Sequence, residues 1–314
     1  MVDLRKATDV TNVTNNNTNN QEENTMNTIN LTKETDAEVK ANMVAKVINN
    51  LGVEAEVRKV FKNGIERFGI TLGSGTVRPT LYINTKDTRT IEEIADGMIE
   101  QYNSLPENNY SELVTDIMNY ESIKEKLIPC VMKAKEEGLV MRKFLDMNVY
   151  YRFVIEDKSE GITSVKVTEG ILEKWGITKT ELHKQAVKNC EGTFGATDVM
   201  SMLMGLGMEI KTEDFSEFDN NPMFVITNES KTYGAAGILY NNLFKAIADD
   251  LHSDLFIIPS SIHELIVSPM ELGVTAEEMT TLIQEVNATQ VVPEEVLNDH
   301  IYFFRREVGK VEAK

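Results

Sequence analysis

The sequence predicts an α+β protein: an N-terminal helix, a three-stranded antiparallel meander and further helices, followed by a larger mixed α/β segment. Three observations lead there. Residues 53–84 alternate apolar and polar positions around an Asn-Gly and a Gly-Ser-Gly turn, which is hairpin patterning. Thr90-x-x-Glu93 and Thr178-x-x-Glu181 are capping boxes ahead of helical stretches. The second half mixes runs of aromatic and β-branched residues with helical spacing. The organisation that follows is an Asn/Thr-rich tail over 1–33, an N-terminal α+β segment over 34–138 and a C-terminal α+β segment over 139–314.

The tail holds few large apolar residues, so little burial offsets the entropy of ordering it, and disorder is expected. Its Met26 follows Gln21-Glu22-Glu23, whose codons can carry a bacterial ribosome-binding sequence; translation from Met26 rather than Met1 is thus a second reading of the tail, and an intact mass decides between them. Val39, Met43, Val44, Val47 and Leu51 then recur at helical spacing, with Gly52 as the stop. Val53, Ala55 and Val57 begin a strand, Asn63-Gly64 turns it, Ile65–Leu72 returns, and Pro79–Asn84 adds the third. Gly73-Ser74-Gly75 lacks the Gly-Lys-Ser/Thr of a phosphate loop and enters a strand, so it reads as a turn. A helix opens at Thr90 and runs to about Tyr102, and residues 108–138 are expected to hold one or two more.

Phe144–Ile155 ends as a strand, with Thr163–Val167 as its hairpin partner. A short helix closes at Trp175-Gly176, and another follows Thr178, with His183 beside its buried stripe. The Met-rich stretch 198–208 suits core filling or a partner groove. Pro222–Asn228 reads as a strand. Lys231–Gly237 opens a helix to about Leu251, its small residues allowing close backbone packing or an anion at the helix start. Asp254–Ile258 and Ile262–Val267 are extended, with Pro259-Ser260-Ser261 between them. A helix from about Val274 to Val286, a helical turn at Pro293–Leu297 and a strand at His300–Phe304 complete the reading.

Composition narrows the function classes. Fifty acidic residues stand against 32 basic ones, a net charge of -18, which disfavours direct nucleic-acid binding. That excess acts as a solubility device or, more sharply, as a surface imitating nucleic acid. Two cysteines, Cys130 and Cys190, and four histidines give neither a disulfide framework nor zinc spacing, so no metal site and no cofactor is expected. The thiols read as small core residues in a reducing, cytoplasmic setting. No run approaches the roughly 20 apolar residues of a membrane helix, and the N-terminus carries no signal-peptide pattern.

The chemistry-bearing stretch is Pro259-Ser260-Ser261-Ile262-His263-Glu264-Leu265. As a hydrolase site, Ser260 or Ser261 is the nucleophile, His263 the base, and Glu264 or Asp299 the orienting acid. Spacing opposes it. In an extended chain Ser261 and His263 share a face roughly 7 Å apart while Glu264 points away. Neither a GxSxG elbow nor HExxH is present. As a binding module, the serines bond local backbone in a turn or bulge. His263 and Glu264 then make polar contacts, with Asn298, Asp299 and His300 as the nearby polar segment. Asn228, Tyr233 and Gly234 are the further binding candidates.

The ordered motifs FLDMNVYYRF, LEKWGITKTELHKQAVKN, MFVITNESKTYGAAGILY, DLFIIPSSIHELIVSP and IQEVNATQVVPEEVLNDHIYFF resemble the DUF5688 family over about residues 36–306. The stretch 167–189 is also similar, more loosely, to DUF1444. The DUF5688 resemblance implies an uncharacterised protein of gut Firmicutes and their mobile elements, and no known reaction. It centres on PSSIHE and on a Leu-Ser-Asp-like triplet, here Leu297-Asn298-Asp299, where the serine hydroxyl is missing. The expectation is therefore a non-enzymatic binding protein with a protein partner, such as a host protein met by a mobile element, with hydrolysis as the alternative.

Overall fold

The computed structural model describes residues 37–74, 78–83, 87–104, 115–158, 161–199, 201–202, 222–270, 275–289 and 291–313. The tail, most of the Met-rich stretch and part of the Gly-Ser-Gly turn lie outside the described residues. Chain contacts divide the protein into two compact units, Met1–Lys62 with Glu66–Tyr110, and Asn63–Ile65 with Ser111–Lys314.

The first unit begins with α1 (Ala37–Asn50). Strands β1 (Ala55–Lys62), β2 (Ile65–Leu72) and β3 (Thr80–Tyr82) follow as a sheet in that order. Asn63 and Gly64 both take positive φ, 48° and 81°, as a two-residue hairpin turn demands. Helix α2 (Ile91–Ser104) opens on the Thr90/Glu93 capping box, with Glu93 N bonded to Thr90 Oγ1 and Thr90 N to the Glu93 carboxylate. Val44, Ile48, Phe68, Ile70, Leu72, Ile94 and Met98 form the core. The α1 stripe is rotated from its expected position. Val39 is exposed and Lys40 is buried, because Lys40 Nζ donates to the Asp87 carbonyl at 2.7 Å. A lysine can bury its apolar stem when its ammonium finds an acceptor.

Of the one or two helices expected over residues 108–138, the described part has short helical pieces at residues 115–118 and in α3 (Tyr120–Ile123), followed by a 3-10 turn at Lys124–Lys126 and, unexpectedly, strand β4 (Leu127–Met132) in the second unit. Next come β5 (Met141–Phe144), β6 (Met147–Lys158) and β7 (Gly161–Lys166), with β4, β5 and β7 all pairing with β6. Helix α4 (Glu169–Trp175) ends at the left-handed Gly176, and α5 (Lys179–Asn189) carries the full Thr178/Glu181 capping box. Beyond them lie β8 (Phe194–Asp198), β9 (Phe224–Asn228), a 3-10 segment at Gly234–Leu239 and α6 (Asn241–Leu251). The last elements are β10 (Leu255–Ile258), β11 (Leu265–Pro269), α7 (Ala276–Thr289), β12 (Tyr302–Arg305) and β13 (Lys310–Ala313). The antiparallel order β13-β12-β10-β11-β9-β8 makes the larger sheet. Its Leu255, Ile257, Val267, Ile226 and Phe304 join Leu127, Val149, Tyr151, Phe153 and Leu182 in one core. Phe256, Ile258 and Phe303, from the opposite face, pack with Met279 and Ile283 of α7.

No helix among the described residues is long and apolar enough to cross a membrane. Ser268, in β11, is fully buried and its hydroxyl has no hydrogen-bond partner. An unsatisfied buried hydroxyl carries its desolvation cost with no return. Ser268→Ala is therefore expected to raise stability by about 1 kcal/mol in urea unfolding; a loss of that size would show that the hydroxyl is bonded.

Candidate functional site

The PSSIHE stretch is the connection between β10 and β11, where Ile258 pairs with Ile266. The chain bends sharply there. Ser260 N donates to the Ile258 carbonyl at 3.0 Å, and Ser261 N to the Glu264 carbonyl at 3.2 Å. The bend brings Ser261 Oγ to the backbone of His263, whose N–H donates to it at 3.0 Å. Such a side-chain turn is what serine does well between strands. Ser261 is buried. Among the described residues Ser260 Oγ reaches only Glu264 Oε1, at 3.4 Å.

His263 is held at both ring nitrogens. Tyr233 N donates to Nδ1 at 3.2 Å, and Nε2 faces Glu295 Oε1 at 3.5 Å. A backbone N–H aimed at Nδ1 requires a lone pair there, which assigns the Nε2–H tautomer. The surrounding backbone is equally committed. Thr227 Oγ1 donates to the His263 carbonyl at 2.9 Å, and Ile262 N to the Glu295 carbonyl at 2.9 Å.

Opposite this turn stands the loop from Asn228 to Gly234. The Asn228 side chain closes it, accepting from Thr232 N at 3.1 Å and donating to the Thr232 carbonyl at 2.9 Å. Tyr233 is left-handed (φ 58°), a conformation non-glycine residues hold only when neighbours enforce it. The bond to His263 is that enforcement. The expected continuous helix from Lys231 to Leu251 is instead this strained entry, the 3-10 segment and α6, separated at Tyr240. The small residues do pack closely. Gly234, Ala235, Ala236 and Gly237 are buried, and a Cβ on Gly234 would lie 2.2 Å from Thr227 Oγ1 and 2.4 Å from the His263 carbonyl oxygen.

Tyr233 stacks on His263 with centroids 5.7 Å apart and planes at 26°. The Arg152 guanidinium lies 5.0 Å over the tyrosine ring. Ser164 fixes that guanidinium, accepting from Nε at its hydroxyl (2.8 Å) and from Nη2 at its carbonyl (2.9 Å). Arg152, Tyr233, His263 and Glu295 thus form one half-buried column.

The remaining candidates gather elsewhere. Asn298 and His300 converge on Asp146, in the β5–β6 turn. Asn298 Nδ2 donates to Asp146 Oδ2 at 3.0 Å, His300 Nε2 lies 3.0 Å from the same oxygen, and Tyr302 OH donates to Oδ1 at 2.7 Å. Asp299 pairs with Lys133, and its backbone N–H donates to Asn298 Oδ1 at 2.9 Å. Burial pushes the Asp146 carboxyl up, but the Tyr302 and Asn298 hydrogen bonds and the neighbouring His300 outweigh it and hold the group below its ordinary range. Burial, then the adjacent Asp146 carboxylate, push the Tyr302 phenol well up. The residue that His263 meets from this part of the chain is Glu295, not the 298–300 segment.

His183, expected on a helix surface, accepts or donates at Nδ1 with Tyr151 OH (3.0 Å), and burial lowers its pKa. Both thiols are buried, and that burial pushes Cys130 up to about 12 and Cys190 up to about 11, which leaves neither a thiolate near neutral pH. Among the described residues no group of His, Cys, Asp and Glu could hold a metal ion. Sequence reading missed Arg152, Thr227, Glu295, Asp146 and Tyr302, each of which has a partner in the site more than thirty residues away. Asp146 and Tyr302 fall inside the motifs FLDMN and LNDHIY, which was the signal available.

A family model described as "Family of unknown function (DUF5688)" matches residues 32–306. No curated protein and no solved structure matches the chain.

Proposed function

We propose, for a chain that belongs to the DUF5688 family of unknown function, that it works by binding another protein rather than by catalysing a reaction. The observation that carries this reading is the state of His263. A general base needs a free ring nitrogen beside the hydroxyl it deprotonates. Here Nδ1 is spent on Tyr233 N and Nε2 faces Glu295, while Ser261 Oγ serves the His263 backbone. The set of side chains that suggested hydrolysis is a structural joint.

What the joint presents is a rigid, half-buried Arg152–Tyr233–His263–Glu295 column. Tyrosine and arginine dominate interface hot spots, and preorganised side chains lose little entropy on binding. The mobile-element setting that the family resemblance implies makes a host protein the natural partner. Affinity capture from the native host tests this with the wild type against Arg152→Ala and Tyr233→Ala, each checked for folding by circular dichroism. A specific partner should be captured by the wild type and weakened at least about tenfold by either substitution, the scale of a hot-spot truncation. Equal capture by all three proteins would contradict the reading.

One arrangement favours a second reading. His300 has Nε2 on the Asp146 carboxylate, and Nδ1 has no partner among the described residues. A histidine oriented by a carboxylate is half of a hydrolytic base. If a screen of esters, amides and phosphoesters finds turnover, His300→Ala should abolish it while His263→Ala retains it. Loss with His263→Ala alone would return the chemistry to the PSSIHE turn.

A further inference from the structure

The second unit contains a cleft of about 490 Å³ at the end of β12, lined among others by His252, Asp254, Met270, Arg305, Arg306 and Glu307. Its volume falls in the range of small-molecule sites. We infer that it is a binding site for a small ligand with a single anionic head, a phosphate or a carboxylate. It stands apart from the Tyr233 column and does not depend on the protein-binding reading.

Consecutive residues of a strand point to opposite faces, so Arg305 and Arg306 should not share a cleft. They do because β12 stops at Arg305 and the chain turns, with Gly309 N donating to the Arg305 carbonyl at 2.8 Å and Gly309 at φ 68°. Arg305 lies over Phe303, 5.4 Å from its centroid, while Arg306 reaches toward Asp249 of α6, so the cleft that both line sits at the end of the sheet.

Each guanidinium is oriented by a carboxylate and keeps donors to spare. Arg305 Nη1 donates to Asp254 Oδ2 at 3.0 Å and approaches Met270 Sδ at 3.4 Å. Arg306 Nε donates to Asp249 Oδ1 at 3.0 Å. That leaves Nε and Nη2 of Arg305 and both terminal nitrogens of Arg306 without an acceptor among the described residues. A planar fork fixed on one side and free on the other matches a phosphate or carboxylate. His252 takes a left-handed conformation (φ 54°) at the end of α6, and its ring also lacks a partner among the described residues. It supplies a further donor.

The carboxylates in the lining decide the kind of anion. Asp254 is engaged at both oxygens, Oδ2 accepting from Arg305 and Oδ1 from Arg306 N at 2.8 Å. Glu307 meets no partner among the described residues and repels a second negative group. The cleft therefore suits one anionic head and rejects a polyanion, in keeping with the net charge of -18.

The test is an NMR titration of the full chain with inorganic phosphate and, separately, acetate, against chloride at matched ionic strength. The amides of Ser253, Asp254, Arg306 and Glu307 should shift and saturate, with a Kd of about 1 mM or tighter for at least one oxyanion. Which one responds identifies the head group. Arg306→Gln should weaken binding at least tenfold, and Arg306→Lys should recover part of it. If Arg306→Gln unfolds the chain, His252→Ala, at an exposed position, replaces it. Shifts that fail to saturate, that chloride reproduces, or that survive Arg306→Gln or its replacement unchanged would overturn the assignment.

Discussion

Gly234→Ala is expected to cost about 4 kcal/mol of stability, the upper range for an overpacked site that also loses a hydrogen bond. The added methyl would sit 2.2 Å from Thr227 Oγ1, 2.4 Å from the His263 carbonyl oxygen and 2.9 Å from Thr227 Cα. The last two are backbone atoms of β9 and of the PSSIHE turn, and they cannot rotate away. Relief requires the Gly234 segment to move away from β9 and the turn. That movement breaks the Tyr233–His263 bond and the bond from Ala235 N to the Ile262 carbonyl together. Urea unfolding measures the loss. Adding Thr227→Ala removes only the hydroxyl and should restore less than half of it, because the carbonyl clash stays. A Gly234→Ala protein within about 1 kcal/mol of the wild type would mean that the loop does not press on the turn.

Asp146→Ala is expected to cost about 3 kcal/mol, since it strands buried partners as well as deleting their acceptor. Asn298 and Tyr302 are buried, and both donate to that carboxylate. Tyr302→Phe removes one partner and should cost about 1.5 kcal/mol. The double mutant should cost less than the sum, with a coupling of about 1 kcal/mol, as for groups in one network. The dependence on pH has a definite sign. The Asp146 carboxyl is held below its ordinary value of 3.8 in the folded protein, so its contribution is complete above that value. It is lost as pH falls through the lowered folded value. The stability gap between wild type and Asp146→Ala should therefore be constant at neutral pH and narrow in acid. A gap that widened in acid would contradict the network.

Local pattern made much of this molecule legible. The Asn63-Gly64 hairpin and the boxes at Thr90 and Thr178 are short-range devices, written in three or four residues, and the structure has each of them. Residues 127–132 were harder. A short continuous apolar run fits a buried helix or a strand equally well, and Pro129 argues against a central strand. It becomes β4, which pairs with β6 alone at an edge of its sheet, where a proline is tolerated. Strands β8 and β13, FGATD and KVEA, are too short and mixed to announce themselves.

The candidate site was legible as a polar stretch but not as an arrangement. Spacing alone denies an extended PSSIHE stretch a self-contained triad. It could not foresee that the stretch bends, that the His263 ring accepts from Tyr233, or that Glu295 meets its other nitrogen. Likewise nothing local says that Asp146 collects Asn298, His300 and Tyr302 across more than 150 residues of chain. Contacts of that separation are set by sheet topology, which single-sequence periodicity does not encode.

On our reading His263 is a structural acceptor and not a catalytic base. Imidazole nitrogen NMR on the wild-type protein tests it most directly, by reading the protonation of each ring nitrogen and the coupling across the Tyr233 N–H···Nδ1 bond. The expected result is a ring whose proton sits on Nε2, with Nδ1 coupled to the Tyr233 amide. A ring protonated at Nδ1, with Nε2 free beside a serine hydroxyl, would contradict it.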